Sequence, residues 1–441
     1  MKWMLWMGTC IFLVLILLPA GGAAQERGNY FTLQQSISLA LENSYKIKAR
    51  DERITQANDI LKQSRAEFLP KFGINYSYNY FSEVPISRYT LFGTGVEIPV
   101  GTQNNWRWGT FVRQPVFTGF ALLSNYRLAE LGIDQSQLEM DQEKLDLVLR
   151  VKQAYFDILG ADKAVEVAQT TVESLSQTVK VARSFFDVGM IPVNDVLKAE
   201  VELANAQQSL VRAKNAAQTT RATFNTVLVR PVNDPVELED ILVFKPELGN
   251  YDAYVKIALE NRPEIKILDV GLLQADQQIR LAKSKYYPEI GVTYTYLKQG
   301  DTASLSGSNF VDANSWEVLA VANWTLFEWG KTYYTVKEKQ SVKQQVLQTK
   351  SDVEDGIRLQ VKQAVLDIDS SASNIPVTQK GIESGEENLR VNAERYKAQV
   401  STITDLLDAQ TLLARARLDY YRALYDHNLA KARLDRALGN Y

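Results

Sequence analysis

The feature that most constrains this chain is that it is written twice. SLALENSYKIKARDERI, from Ser38, parallels KIALENRPEIKILDVGL, from Lys256, and AEFLPKFGINYSYNY, from Ala66, parallels SKYYPEIGVTYTYLK, from Ser284, with Pro70 matched to Pro288. Both pairs are offset by 218 positions. Farther on, RVKQAYFDI from Arg150 meets QVKQAVLDI from Gln360 at an offset of 210, so one intervening loop is eight residues shorter in the second copy. A repeat of this kind implies two like-built units. The expected units are residues 25–230 and 253–441, joined by a segment over 231–252 that carries Pro231, Pro235 and Pro246.

Each unit reads as a helix, two strands and two very long helices. The first helix is expected over Leu33 to Phe68, opened by Thr32 with Gln35 three residues on and stopped before Pro70. The period then changes to two. Phe72, Ile74, Tyr76, Tyr78 and Tyr80 alternate with small polar residues, as do Ile290, Val292, Tyr294 and Tyr296. Partner strands are expected over Trp106 to Phe117 and Ser315 to Phe327, with Trp106, Trp108, Trp316 and Trp324 as interfacial aromatics. The connecting stretches, 82–105 and 299–313, are rich in Gly, Pro, Ser and Asn and read as long loops on one side.

Strands of about 10 residues have the span of outer-membrane strands. Residues 1–24 read as a secretory signal: Lys2, an apolar run from Trp3 to Leu18, Pro19 and small residues up to a cleavage point after Ala24. The single cysteine, Cys10, lies inside that run, so the mature chain has no thiol chemistry, disulfide or lipid acceptor. No later stretch reaches about 18 uninterrupted apolar residues. Four strands cannot close a barrel, and an open edge cannot face lipid because its amides lack partners. A membrane reading therefore requires oligomers. Two chains would give eight strands filled by side chains; three would give twelve and a lumen, which the polar inner faces favour.

From Ala121 to Val188 the helical pattern is unbroken, about 100 Å at 1.5 Å per residue. The returning helix carries a heptad seam of Val196, Ala199, Leu203, Ala206 and Leu210, repeated in the second copy by Leu406, Ala409, Leu413, Ala416 and Tyr420. Alanine holds every seventh place from Ala409 to Ala437, which lets antiparallel helices interlock closely. The chain is expected to turn near Gly189 and again near Gln399, with Asn194 and Thr404 as caps and Asp195 and Asp405 at the positive ends of the returning helices. Capping explains Asp195 and Asp405 but leaves Asp408 unexplained.

With duplicated halves, paired strands in each half, and Tyr396, Asp405, Leu406, Leu407, Asp408 and Ala409 set against Phe186, Gly189, Asp195, Val196, Leu197 and Ala199, the mature chain resembles the TolC family of outer-membrane efflux proteins over essentially its whole length. The resemblance implies an α+β membrane protein: a homotrimer whose twelve-stranded β-barrel, four strands per chain, sits in outer-membrane lipid. A coiled-coil tunnel continues it across the periplasm of a Gram-negative bacterium, with residues 231–252 around its waist. It implies a passive channel for a tripartite efflux or type I secretion assembly. A periplasmic adaptor (membrane fusion) protein would dock at the hairpin tips, Gly189, Met190, Ile191, Val400, Ser401 and Thr402, and connect the tunnel to an inner-membrane pump. The family's closing bonds map to Tyr396 and Asp195, but Ser401 stands where the family has an arginine, so the resemblance implies a looser or differently held gate in which a Tyr396 to Asp195 hydrogen bond remains. Asp405 and Asp408 match the family's acidic constriction, where cations would bind or some carboxylates protonate in mild acid.

Other classes find little support. A net charge of −3 offers no polyanion surface, so no nucleic acid is expected. No phosphate-binding glycine loop occurs, and Gly93 with Gly95 lies between strands. The one histidine, His427, falls on the helical seam and reads as a packed residue. The carboxylates of Asp367 and Asp369 point apart on one helix, so no enzyme, cofactor or metal site is expected. The rival reading is a secreted or periplasmic coiled-coil structural or adaptor protein without a pore.

Overall fold

A computed structural model of the chain describes residues 29–245 and 249–441. The signal segment, with Cys10, and Pro246 lie outside the described residues. In chain order the elements are β1 (Tyr30–Phe31), α1 (Leu33–Asn43), α2 (Tyr45–Ala66), β2 (Lys71–Tyr80), β3 (Ile86–Leu91), β4 (Thr94–Pro99), β5 (Asn104–Thr118), α3 (Ala121–Asp187) and α4 (Val193–Val227). There follow β6 (Glu237–Leu238), α5 (Tyr251–Asn261), α6 (Pro263–Lys283), β7 (Glu289–Gly300), β8 (Asn314–Asn323), α7 (Lys331–Lys397) and α8 (Ile403–Leu438). The long outgoing helices are 67 residues each, about 100 Å at 1.5 Å per residue.

The opening helix begins as its sequence demands. Gln35 N–H donates to Thr32 Oγ1 at 3.3 Å and Thr32 N–H to Gln35 Oε1 at 3.0 Å, a reciprocal capping box. It does not run on to Phe68, as the sequence suggested. Ser44 leaves helical geometry at ψ 121°, and its hydroxyl caps a second helix through the Ile47 N–H. The second copy breaks at the equivalent place, where Pro263 occupies the first turn of α6.

The membrane-type strands form one antiparallel sheet in the order β2-β5-β7-β8. Its edges, β2 and β8, have no outer neighbour among the described residues. The 82–105 stretch is more ordered than its composition suggested, because β3 and β4 pair within it as a hairpin. β8 stops at Asn323, short of the expected Phe327, and Trp324 outside it donates its indole N–H to the Tyr286 carbonyl at 3.2 Å.

The helical half is held at three levels. Nearest the sheet, α2 and α6 pack on α3 and α7, tied by Arg50 to Glu139 at 2.7 Å and Lys343 to Asp276 at 2.8 Å. At the waist, Tyr155, Phe224, Leu228 and Phe31 form one core, while Ile357, Val361, Ala258 and Leu434 form another. The linker joins this level: β6 pairs in parallel with β1, and the Tyr155 hydroxyl lies 2.8 Å from the Glu239 carbonyl and 3.1 Å from that of Phe31. His427 is packed here, 2% exposed, between the Ser371 hydroxyl and the Lys245 carbonyl, each at 3.2 Å. Charges lock the two halves together. Arg436 reaches Asp146 and Glu264, both at 2.7 Å, and Lys152 reaches Asp435 at 2.7 Å. Burial pushes the Glu264 carboxyl up, but Arg262 and Arg436 outweigh it and hold it at about 2. The third level is the hairpin tips.

Candidate functional site

Both long helices end in the same turn. At the first tip the Gly189 N–H donates to the Phe186 carbonyl and the Met190 N–H to that of Phe185, both at 2.8 Å, with Gly189 at φ +75°. At the second, Gln399 donates to Tyr396 at 3.0 Å and Val400 to Arg395 at 2.9 Å, with Gln399 at φ +63°. This pairing satisfies the last carbonyls and reverses the chain; it needs a left-handed residue, easily met by glycine and at some strain by glutamine. The turns expose Met190 and Val400, each more than half accessible.

The returning helices start two residues earlier than the sequence suggested, so Asn194 and Thr404 are not the caps. Pro192 precedes α4 without a side-chain cap. Thr402 caps α8: Asp405 N–H donates to Thr402 Oγ1 at 3.2 Å, while Thr402 N–H and Oγ1–H both donate to Asp405 Oδ2, at 2.9 and 2.8 Å. The Thr402 backbone bond first, and its hydroxyl second, hold the Asp405 carboxyl below its ordinary range. Asp405 is thus tied to its own helix end, and Asp408, one turn on, is exposed and makes no bond among the described residues. The two acids lie on one side of α8, a turn apart.

Tyr396 is 3% exposed, its ring 5.8 Å from that of Phe185, in a core of Leu175, Ala199, Ile403, Leu406 and Leu407. Burial, then the negative charge of Asp195, raises its pKa. Yet the hydrogen bond expected between Tyr396 and Asp195 is not formed: the Tyr396 hydroxyl has no partner among the described residues, and neither has the buried Ser401 hydroxyl. The reason is local. Tyr396 lies inside the helix, where packing on Phe185 sets its ring, while Asp195 belongs to the first turn of another hairpin.

Other tip groups were not singled out from the sequence. The Gln410 amide donates to Ser174 Oγ at 2.8 Å and to Thr178 Oγ1 at 2.9 Å, bridging α8 to α3 from within the core. Gln410 beside the seam alanine Ala409 was the available signal. Arg183 pairs with Glu200 across the first hairpin.

The sheet is the second part of the site. Across it, register places Phe72, Ile74, Tyr76 and Tyr78 beside Val112, Thr110, Trp108 and Trp106, then Tyr294 and Tyr296, then Val318 and Trp316. The opposite face carries Asn75, Ser77, Arg107, Phe111, Arg113, Thr293, Thr295 and Glu317. An arginine facing lipid at mid-depth costs about 2–4 kcal/mol, so in a membrane barrel this charged face would suit the lumen and the aromatic face the lipid. Among the described residues no helix is long and apolar enough to cross a membrane.

A four-stranded sheet continued by two helix hairpins, whose outgoing arms are about 100 Å and returning arms about half that, defines the class of outer-membrane channel-tunnel proteins. The comparisons agree. The profile of outer membrane efflux proteins matches residues 36–228 and 254–440. The outer membrane efflux protein BepC of Brucella suis biovar 1 is 22% identical over 412 residues, covering 92% of this chain and 85% of its own. Outer membrane protein TolC of Escherichia coli K12 is 22% identical over 399 residues, 86% of this chain and 76% of its own. Among solved structures, the channel CusC superposes with a TM-score of 0.80 at 16% identity, over 93% of this chain and 92% of its own. The chain belongs to the outer membrane efflux protein family. It is an outer-membrane export channel protein of a Gram-negative bacterium, and the relatives lend no support to a poreless coiled-coil protein.

Proposed function

We propose that three copies of this chain close a twelve-stranded barrel in outer-membrane lipid and a helical tunnel across the periplasm, through which substrates pass from a tripartite efflux or type I secretion assembly to the cell exterior. The observation that carries this reading is the open sheet: β2 and β8 both end in unpaired ladders, which a membrane-embedded chain satisfies only against further copies. Cross-linking of the detergent-purified protein tests it. A ladder that stops at three chains is expected; one that stops at one or two would overturn it.

The periplasmic gate is the hairpin end. Tyr396, Asp195 and Ser401 meet there, and Asp405 and Asp408 form the acidic constriction just inside. Because Ser401 cannot form an ion pair and the Tyr396 hydroxyl is unbonded, the core around Tyr396 and Phe185 holds the tips together. A periplasmic adaptor docks on the turns at Gly189, Met190, Ile191, Val400, Ser401 and Thr402, where exposed Met190 and Val400 offer apolar contact, and an inner-membrane pump supplies the energy through it. The channel itself is passive.

A further inference from the structure

The lumen face of the sheet carries a charge pattern that the acidic tips do not foreshadow. Five charged residues lie on it. Lys71 is neutralised by Glu67 at 2.5 Å and Glu289 by Lys285 at 2.9 Å. Arg107, Arg113 and Glu317 make no ion pair or hydrogen bond among the described residues, and all three are exposed. Arg107 stands in register between Ser77 and Gln299, both neutral. Arg113, six residues farther along β5 and so about 20 Å away, leans over the Phe111 ring at 5.8 Å. Glu317 sits level with Phe111, nearer Arg113 than Arg107. Arg107 is therefore the outermost charge on this face of the four-stranded sheet.

We propose that the Arg107 side chains of three copies form an anion site at the outer end of the barrel, taking multivalent anions that carry phosphate, sulfate or carboxylate groups. The inference rests on the trimeric barrel. Twelve strands at 4.8 Å spacing and the usual tilt enclose a backbone radius on the order of 12 Å. An arginine side chain reaches about half that distance inward, so three guanidinium groups flank the axis within about one Debye length of a central ion. Guanidinium donors in a fork match phosphate, sulfate and carboxylate oxygens, and protein walls strengthen the attraction relative to open water. The conduit is then acidic at its periplasmic entrance and basic at its exit, and an anionic solute pauses at the exit.

The test is single-channel recording of the native trimer, inserted from one side of a planar bilayer so that the strands open to the other, with inorganic tripolyphosphate as probe. Block from the strand side is expected, and Arg107→Gln should raise the half-blocking concentration about tenfold or more. Arg107→Lys, which keeps the charge, should retain most of the block. Equal block of native and Arg107→Gln channels, or block only from the helix-tip side, would overturn the site while leaving the channel intact. A native protein that never conducts would instead overturn the barrel reading, and the site with it.

Discussion

Substituting Glu264 by glutamine removes the charge at the centre of the waist lock with little change of shape. The Glu264 side chain is 18% exposed and accepts from Arg262 at 2.8 and 3.2 Å and from Arg436 at 2.7 Å. Its carboxyl falls from an ordinary 4.5 to about 2. That difference corresponds to roughly 3 kcal/mol of native-state preference for the ionised form. Because the folded value is depressed, this stability is complete above about pH 4.5 and disappears as pH falls toward 2. Glu264→Gln also leaves Arg262 and Arg436 short of a counter-charge, so near pH 7 the variant should unfold about 3 kcal/mol more easily. The assay is denaturant unfolding of the detergent-purified protein, followed by helical circular dichroism at pH 7, 4.5, 3 and 2. The native and variant curves should converge at the acid end. A gap of undiminished size at pH 2, or none at pH 7, would refute the argument that charge rather than packing makes this contact.

Three further outcomes follow from the tips. Gln399→Gly relieves the left-handed residue at φ +63° and should stabilise the second hairpin by up to about 1 kcal/mol, read as slower hydrogen exchange at Val400; faster exchange would contradict it. Thr402→Ala should destabilise the start of α8 by about 1 kcal/mol and return the Asp405 carboxyl toward its ordinary range, measurable by carboxyl NMR titration. Tyr396→Phe removes a hydroxyl that has no partner among the described residues, so stability should change by less than about 0.5 kcal/mol; a loss above about 1 kcal/mol would mean the assembled trimer supplies an acceptor.

Much of the fold is legible in the residues because its periodicities are long. Alanine at every seventh place from Ala409 to Ala437 marks the seam, and Ala409, Ala423, Ala430 and Ala437 are buried in it. The alternation of Phe72 to Tyr80 marks β2 nearly to the residue. What escaped were local decisions. Ser44 is one hydroxyl inside an otherwise helical stretch, and only its extended ψ reveals a cap. Thr402 and Thr404 both suit a cap in sequence, and Asp405 decides between them by lying three residues after Thr402. Pro376 is a residue that ordinarily breaks or kinks a helix, yet α7 continues through it, with Ser371 and Ile375 of the preceding turns packed against α8. At the tips, the unbonded Tyr396 hydroxyl was not legible, since residue spacing carries no information about which groups on different hairpins reach one another.

The central claim is a conducting trimer with an acidic constriction at its periplasmic end. Its most direct test is single-channel conductance of the purified protein in planar bilayers, comparing the native chain with Asp405→Asn plus Asp408→Asn while divalent cations are added from the tip side. Thr402 still caps α8, and an asparagine oxygen at 405 can still accept from the Thr402 N–H, so the helix start survives while the charge is lost. A cation-selective native channel that divalent ions block, and a double variant that escapes the block, is the predicted result. A native protein that does not insert and conduct, or a block that the double variant retains in full, would contradict the account.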